Sequence, residues 1–163
     1  MSNEVTIRPA ELTDVPELAI LMGQYWAFEG IAGFNAEQAV LLLRHLLSQP
    51  YLGTIWTGRA GGELVGYLIA VFVFSFEYQG LVAEIDEFFV RPQARSQGVG
   101  AALLDAAESG LAESCTWMQL QLGTANRAAR AFYRRRGYAE RSEYELLNKK
   151  LAGARLERKL IRS

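Results

Sequence analysis

Apolar residues recur along the first half of this 163-residue chain with two different periods. Residues 5–8 predict a short strand, and the helical spacing of the apolar residues that follow predicts two helices. Thr13 or Asp14 would cap the first helix, and Asn35 the second. β-branched and aromatic residues with two turn signals then predict three antiparallel strands, over 54–58, 64–76 and 81–90. The middle strand is apolar on both faces, so we expect it at the centre of the sheet.

The second half of the chain alternates between helix and strand. The pattern predicts a helix over 99–113, a strand over 117–122, a helix over 127–136 that ends at Gly137, and one or two strands over 138–151. Residues 152–163 fit a further strand, a helix or a frayed basic tail. The order of elements predicts an α/β fold with a mixed, largely antiparallel central sheet of six to seven strands, flanked by about four helices. We expect a single domain over residues 1–163, with its core at about 5–151.

The charges of the chain are segregated, although the formal net charge is only −1. Up to Asn126 there are 5 basic and 14 acidic residues, and from Arg127 onward there are 12 basic and 4 acidic residues. The near-neutral total argues against a strongly basic nucleic-acid binder. The start of the chain lacks a signal-peptide pattern, and no apolar run reaches the roughly 20 residues of a membrane helix. With Cys115 as the only cysteine, we expect a cytoplasmic protein that binds neither nucleic acid nor membrane.

A strand-to-helix junction in the second half of the chain is the first candidate for a binding site. Arg95-Ser96-Gln97-Gly98-Val99-Gly100 joins the strand that ends at Val90 to the next helix. Unpaired backbone N–H groups and the helix dipole at such a junction favour an anion such as a pyrophosphate. The same pattern also occurs as a simple tight turn, and it lacks the Gly-Lys-Ser/Thr ending of a Walker loop.

Two motifs resemble the GNAT superfamily of acetyl-CoA-dependent N-acetyltransferases. The first is the junction itself, with Arg95, Gly98 and Gly100 after Phe88-Phe89-Val90; the second is Asn126, then Ala128-Ala129-Arg130-Ala131-Phe132-Tyr133 and Gly137-Tyr138. The opening Ile7-Arg8-Pro9-Ala10 is similar too, so the resemblance covers about residues 5–151. Within the superfamily, the chain looks most like the spermidine/spermine or diamine acetyltransferases, which also carry acidic-acidic-Phe-Phe-Val before the loop. Ser96 departs from the glycine that many members have.

The resemblance implies the GNAT fold and an enzyme that transfers an acetyl group from acetyl-CoA to a primary amine by direct attack in a ternary complex. It also implies that Tyr133 is the acid that protonates the departing thiolate, since a phenol is protonated at neutral pH. The alternative is that Phe132 and Tyr133 only pack their helix. No metal is expected. The implied cofactor-binding residues are Phe88, Phe89, Val90, Arg95, Ser96, Gln97, Gly98, Val99, Gly100, Ala101, Asn126, Arg130, Phe132, Tyr133 and Arg135.

Three acidic residues on strand 81–90 are candidates for the base that deprotonates the amine. Strict alternation would place Glu84, Asp86 and Phe88 on one face, and Ile85, Glu87 and Phe89 on the other. By position, Glu84 is similar to the glutamate base of the superfamily's histone acetyltransferases, and Asp86 to an acidic substrate residue of the diamine acetyltransferases. Both are candidates for the catalytic base, directly or through water, and Glu87 ranks behind them. Solvated strand carboxylates are the alternative.

The aromatic segment between the first two helices occupies the place where the superfamily builds its acceptor pocket. Tyr25, Trp26, Phe28 and Glu29, together with the three strand carboxylates, would suit a small cationic amine. The alternative is that Tyr25 and Phe28 belong to the core. Competing functions are acetylation of a protein lysine or an N-terminus, and a non-catalytic acyl-CoA-binding module. Superfamily habit suggests a homodimer.

Overall fold

The computed structural model describes residues 4–151, which fall into two compact units. The first unit extends to Leu120 and contains a sheet and three α-helices, and the second begins at Gln121 and contains one α-helix. The alternatives predicted for residues 152–163 lie outside the described residues. None of the helices within residues 4–151 has the length and apolar character that a membrane crossing needs.

The first unit is built on a sheet whose five strands lie side by side in chain order. They are β1 (Val5–Pro9), β2 (Gly53–Ala60), β3 (Glu63–Ser75), β4 (Gly80–Val90) and β5 (Cys115–Leu120). Neighbours from β1 to β4 pair antiparallel and β4 pairs parallel with β5, which confirms the predicted mixed sheet. β3 is the central strand, as its two apolar faces predict, and residues 64–70 within it are buried.

Two layers of helix cover the sheet. The α-helices of residues 4–151 are α1 (Val15–Glu29), α2 (Ala36–Ser48), α3 (Val99–Leu111) and α4 (Arg127–Arg135). Leu18 of α1 and Leu43 of α2 share one core cluster with Tyr67 of the sheet, whereas Leu103 of α3 belongs to a separate cluster with Val65. Each fully buried leucine contributes about 1.5–3 kcal/mol by leaving water. Within the first unit, α1 and α2 therefore pack on one face of the sheet and α3 on the other.

Asp14 fixes the start of α1 to the sheet. It is the N-cap residue of α1, one of the two residues predicted for that position, and its side chain is 2% exposed. Its carboxylate accepts hydrogen bonds from Arg8 of β1 over 2.8 and 2.9 Å and from Arg59 of β2 over 2.9 Å. Burial raises the pKa of Asp14, but the bonds from Arg8, from the backbone N–H of Glu11 and from Arg59 outweigh it, so the net pKa is lowered. The carboxylate is therefore held ionised.

α3 approaches the sheet closely over a pair of glycines. Gly58 of β2 lies opposite Gly66 of β3. A Cβ atom at Gly58 would lie only 2.8 Å from Cγ1 of Val99, and a Cβ atom at Gly66 would lie 3.1 Å from Cδ1 of Leu103. Because neither position has a side chain, the first two turns of α3 pack directly on the sheet backbone. This contact sets the position of the N-terminus of α3.

The predicted sheet of six to seven strands is wrong: residues 4–151 contain five strands, and residues 138–151 form none. Glutamate, arginine and lysine dominate that segment, and its large apolar side chains do not alternate with them. Leu146 and Leu147 are adjacent and are 65% and 88% exposed. A strand needs a ladder partner and one apolar face, and residues 138–151 supply neither.

The second unit contains α4 and the extended residues on both sides of it. Asn126 is the N-cap, and its side-chain oxygen accepts a hydrogen bond from the N–H of Ala129 over 3.1 Å. At the other end, the N–H of Gly137 bonds to the carbonyl of Arg134 and that of Tyr138 to the carbonyl of Tyr133. Gly137 has φ of 88°, so the predicted C-terminal glycine cap is confirmed.

Candidate functional site

A β-bulge in β4 determines which way its acidic side chains point. In the register with β3, Ile69 lies opposite Glu87 and Ala70 lies opposite Ile85, so that Asp86 has no partner residue. The extra residue breaks the alternation of side chains along the strand. The prediction that Glu84, Asp86 and Phe88 share one face, opposite Ile85, Glu87 and Phe89, is therefore wrong.

The bulge brings two carboxylates onto the face covered by α1 and α2. Residues paired across neighbouring strands share a face. Glu87 pairs with Ile69 and Glu84 with Val71, and both partners pack in the core beneath α1 and α2. Phe88, in contrast, packs in the cluster of α3 on the opposite face.

Glu87 is enclosed by two aromatic hydrogen-bond donors. The indole N–H of Trp26 donates to Oε1 over 2.8 Å, and the phenol of Tyr67 donates to Oε2 over 2.7 Å. Burial raises the pKa of Glu87 by more than these two bonds lower it. The predicted substrate residues Trp26 and Glu87 are thus brought together, and the carboxylate attaches α1 to β4. The sequence ranked Glu87 last of the three acids because its donors are far away in the chain.

Asp86 and Glu84 differ in their surroundings. Asp86 is exposed at the bulge, but neighbouring protein partly desolvates it; this desolvation and the charge of Glu84 raise the pKa of Asp86. Glu84 accepts a hydrogen bond at Oε2 from the side-chain amide of Gln119 of β5 over 2.8 Å. Within residues 4–151, neither these acids nor any other set of three His, Cys, Asp or Glu residues is arranged to hold a metal ion.

The predicted acceptor residues occupy the C-terminal half of α1. Tyr25 packs its ring against Tyr67 and Phe89, with centroids 6.5 and 5.7 Å away. Burial and the charge of Glu87 raise the pKa of Tyr25 to about 12, so its phenol is protonated at neutral pH. Phe28 is 57% exposed and Glu29 is exposed at the end of the helix. The alternative that both residues belong to the core therefore holds in part for Tyr25, which is half-buried, and does not hold for Phe28.

The predicted anion-binding junction is a 3-10 helix followed directly by α3. The 3-10 helix covers Pro92–Gln97, with Ser96 and Gln97 exposed, and Gly98 then adopts φ of 77° as the N-cap of α3. The first four N–H groups of a helix, here those of Gly98 to Ala101, have no partner within it. The first turn of α3 contains no acidic residue. The N-terminus is therefore electrostatically suited to an anion.

Arg95 is held by contacts with the end of β4 just before it and with α1, which is distant in the sequence. Its Nε donates to the carbonyl of Val90 over 2.9 Å. Its guanidinium carbon lies 4.6 Å from the ring centroid of Phe28 and 5.8 Å from that of Phe89. The sequence placed Arg95 beside the junction as a positive charge, but it gave no signal for the contact with Phe28, which lies in a different element.

Arginines form one face of α4 in the second unit. Arg127, Arg130, Arg134 and Arg135 line, with Thr124, a shallow cavity of about 600 Å³. Glu140 accepts hydrogen bonds from Arg130 over 2.6 Å and from Arg134 over 2.7 Å, which hold its pKa below the ordinary range. Of the predicted cofactor residues, Arg130 and Arg135 thus share a strongly positive surface.

Tyr133 is the buried aromatic residue of α4. It is 8% exposed, and its ring makes edge contacts with Phe132 and with Tyr138, each at a centroid distance of 5.3 Å. The packing role considered for Phe132 and Tyr133 is therefore real within the second unit. It does not compete with a chemical role, because a phenol can pack its ring and use its hydroxyl separately.

The sequence matches the model of a family described as the acetyltransferase (GNAT) family over residues 21–138. It is 29% identical to the uncharacterized N-acetyltransferase YhfO of Bacillus subtilis (strain 168) over 137 residues, which are 83% of this chain and 91% of that one. It is 26% identical to an aminoglycoside N(6')-acetyltransferase type 1 of Klebsiella aerogenes over 154 residues, which are 93% of this chain and 100% of that one.

A solved structure is similar over nearly the same length. It is the integron cassette protein HFX_CASS3 from the mobile metagenome of Cole Harbour Salt Marsh. The TM-score is 0.79 at 35% sequence identity, and the match covers 91% of each chain.

Proposed function

The chain belongs to the acetyltransferase (GNAT) family, and from this premise we propose that it transfers an acetyl group from acetyl-CoA to a primary amine of a small cationic molecule. The observation that carries the choice of acceptor is the group of three carboxylates on β4, Glu84, Asp86 and Glu87, on a strand that α1 packs against through Trp26. Carboxylates and aromatic faces together select a cation over a neutral or anionic molecule.

The family uses acetyl-CoA, and we propose that the junction before α3 binds its pyrophosphate. We assign the pyrophosphate to the backbone N–H groups of Gly98, Val99, Gly100 and Ala101, with Ser96 and Gln97 beside them. The positive φ of Gly98 and the absence of acidic residues in the first turn of α3 support this assignment. From the resemblance, we assign further cofactor contacts to the β4 backbone at Phe88, Phe89 and Val90, and to Asn126, Arg130, Phe132 and Arg135.

The chemistry requires one group that removes a proton from the ammonium and one that protonates the sulfur. Acetyl-CoA supplies an activated thioester. Asp86 accepts the proton from the ammonium, directly or through water, which frees the nitrogen lone pair to attack the carbonyl carbon. The N–C bond forms as the C–S bond breaks, and the nitrogen releases its second proton to water. The hydroxyl assigned to Tyr133 gives its proton to the departing sulfur and is then reprotonated from water.

We prefer Asp86 to Glu84 as the base because of what surrounds them. Desolvation and the charge of Glu84 raise the pKa of Asp86, which makes it a stronger base than an ordinary carboxylate. One oxygen of Glu84 is already hydrogen-bonded to Gln119. We therefore assign Glu84 an electrostatic role, in which its negative charge raises the pKa of Asp86.

The acceptor is assigned to the surface formed by Tyr25, Trp26, Phe28 and Glu29. Glu87 fixes the indole of Trp26, which is partly exposed and packs its ring against Phe34, and we assign the exposed part of the ring to contact with a cation. The resemblance to diamine acetyltransferases and the aminoglycoside acetyltransferase among the relatives both involve amines that carry several positive charges. We therefore favour a polycationic amine over a protein lysine or an N-terminus.

We also propose that residues 1–163 act as one acetyltransferase domain, as a homodimer in the cytoplasm. Exposed aromatic residues at the end of β3 support association: Phe74 is 68% exposed and Phe76 just after the strand is 89% exposed. Sedimentation equilibrium would measure the mass, and a single monomer species would contradict the dimer.

A thiol-release assay with acetyl-CoA tests the proposed function. We expect turnover with linear diamines and polyamines or with aminoglycosides, and none with the same compounds after chemical acetylation of their amines. Mass spectrometry of the product should show one added acetyl group on nitrogen. Turnover restricted to peptide lysines or peptide N-termini would overturn the choice of a small amine.

A further inference from the structure

Phe28 is a large aromatic residue on the exposed end of α1, and it contacts an arginine as well as Phe89 at the edge of the core. Its side chain is 57% exposed. The guanidinium of Arg95 lies over its ring at 4.6 Å, a distance at which a cation and an aromatic face attract each other. Phe89 of β4 completes the contact, with its ring centroid 6.0 Å from that of Phe28.

Arg95 is held at a second point by the strand that precedes it. Its Nε donates to the carbonyl of Val90, the last residue of β4. Arg95 lies in the 3-10 helix Pro92–Gln97, and Gly98 follows that helix directly. The side chain of Arg95 is therefore fixed by β4 on one side and by α1 on the other, three residues before the donors of the α3 N-terminus.

We propose that Phe28 is a positioning residue for the cofactor-binding junction and that it acts through Arg95. This inference rests on the proposed function, in which the junction binds acetyl-CoA. By holding the guanidinium, Phe28 stabilises the 3-10 helix in the conformation that places the N–H groups of Gly98 to Ala101 for a pyrophosphate. Phe28 thereby raises the affinity for acetyl-CoA without contacting it.

The coupling is reciprocal, because two linked equilibria must affect each other equally. A ligand that orders the junction also orders Arg95, and Arg95 then stabilises the end of α1. Tyr25 and Trp26 lie in that last part of α1. Binding of the cofactor therefore restrains the helix end that carries the proposed acceptor residues.

Calorimetric titration with CoA, in the absence of any amine, tests the inference without turnover. Phe28→Leu removes the aromatic face and keeps an apolar side chain, and it should raise the Kd for CoA by about two- to fivefold, the range expected for an exposed cation–aromatic contact. Phe28→Tyr keeps the face and should bind CoA like the wild type. Ile20→Ala is the control, because Ile20 is a 63% exposed apolar residue of the same helix.

A second set of measurements separates positioning from a general loss of structure. All these variants should melt within about 4 °C of the wild type, the shift expected from the loss of one surface contact. In an Arg95→Ala background, Phe28→Leu should cause no further loss of affinity. In the wild type, CoA should slow hydrogen exchange at residues 24–31, and this protection should decrease in Phe28→Leu.

Two outcomes overturn the inference while the proposed function stands: wild-type affinity for CoA in Phe28→Leu, or fully additive losses in the double variant. If the wild type itself does not bind CoA, the proposed function fails and this inference fails with it.

Discussion

The phenol of Tyr67 donates a hydrogen bond to Oε2 of Glu87 over 2.7 Å within the core of the first unit. Tyr67 is 0% exposed, and the second oxygen of Glu87 accepts from Trp26. Two strands and α1 thus meet at one carboxylate. Removal of a donor would leave a partly desolvated oxygen without a partner, which costs more than an ordinary hydrogen bond contributes.

Tyr67→Phe should lower the free energy of unfolding by about 1–3 kcal/mol, because it leaves Oε2 of Glu87 unsatisfied and creates no cavity. Urea denaturation followed by circular dichroism measures the change. Tyr51→Phe is the matched control: Tyr51 is 72% exposed, and its variant should stay within about 0.5 kcal/mol of the wild type. Equal stability of the two variants would contradict the structural role given to Tyr67.

Asp86→Asn should lower kcat by about 100-fold or more, as the loss of a general base does. The wild-type rate should rise with pH as Asp86 loses its proton, above the ordinary range of an aspartate because its pKa is raised. The pH–rate profile of the variant should lack this rise, which we call the acidic limb. Steady-state rates over pH, with the acceptor identified by the thiol-release assay, measure both effects.

Glu84→Gln should keep the acidic limb and move it to lower pH. The charge of Glu84 is one of the two causes that raise the pKa of Asp86, so its removal lowers that pKa. The same pH series measures the shift. Loss of the limb in Glu84→Gln, with the limb intact in Asp86→Asn, would reverse the two assignments.

Tyr133→Phe should lower kcat by about 100-fold and leave the Kd for CoA unchanged, because only the hydroxyl that protonates the sulfur is lost. The ring contacts of Tyr133 with Phe132 and Tyr138 stay available to phenylalanine. Pre-steady-state rates and calorimetric titration measure the two quantities. Tyr138→Phe is the control, since it removes a neighbouring hydroxyl, and a kcat as low as that of Tyr133→Phe would contradict the assignment.

Asp14→Asn should lower the free energy of unfolding at pH 7 by about 3 kcal/mol, because Arg8 and Arg59 lose their shared charged partner. The folded protein holds the pKa of Asp14 below the ordinary value of 3.8. The stabilisation is therefore complete above that value and is lost as pH falls through the lower, folded pKa. The difference in unfolding free energy between the two proteins should begin to shrink below about pH 4 and should vanish only below the folded pKa of Asp14. A constant difference at all pH values would contradict the role of ionisation.

The order of elements in the first unit could be predicted because each boundary has a local signal. Asn35 caps α2 through its own side chain, and Gly61 and Gly62 supply the positive φ angles of a two-residue hairpin turn. Local signals failed for residues 138–151. One or two strands are predicted there, but a strand depends on a partner elsewhere in the chain, and none pairs with residues 138–151 in the part of the chain that the structure describes.

The residue types of the candidate site stand out in the sequence, but their arrangement in space does not follow from it. The three acids of β4 and the junction before α3 stand out in the sequence, but the bulge at Asp86 depends on how β4 pairs with β3. Similarly, nothing near Arg95 in the sequence indicates that its guanidinium lies over the ring of Phe28. Both features depend on contacts between distant parts of the chain, and the hydrophobic pattern within one segment does not predict such contacts.

Gly58 and Gly66 set the distance between α3 and the sheet, and neither residue has a reactive side chain. One added methyl group at Gly58 would meet Val99 at 2.8 Å and would push α3 away from the sheet. The N–H groups at the start of α3 would move with it, although every residue assigned to catalysis or binding would be unchanged. An engineer who replaced these glycines to stiffen the unfolded chain would therefore move the start of α3 relative to the sheet. The two missing methyl groups help to set where the N–H groups of the proposed anion site lie.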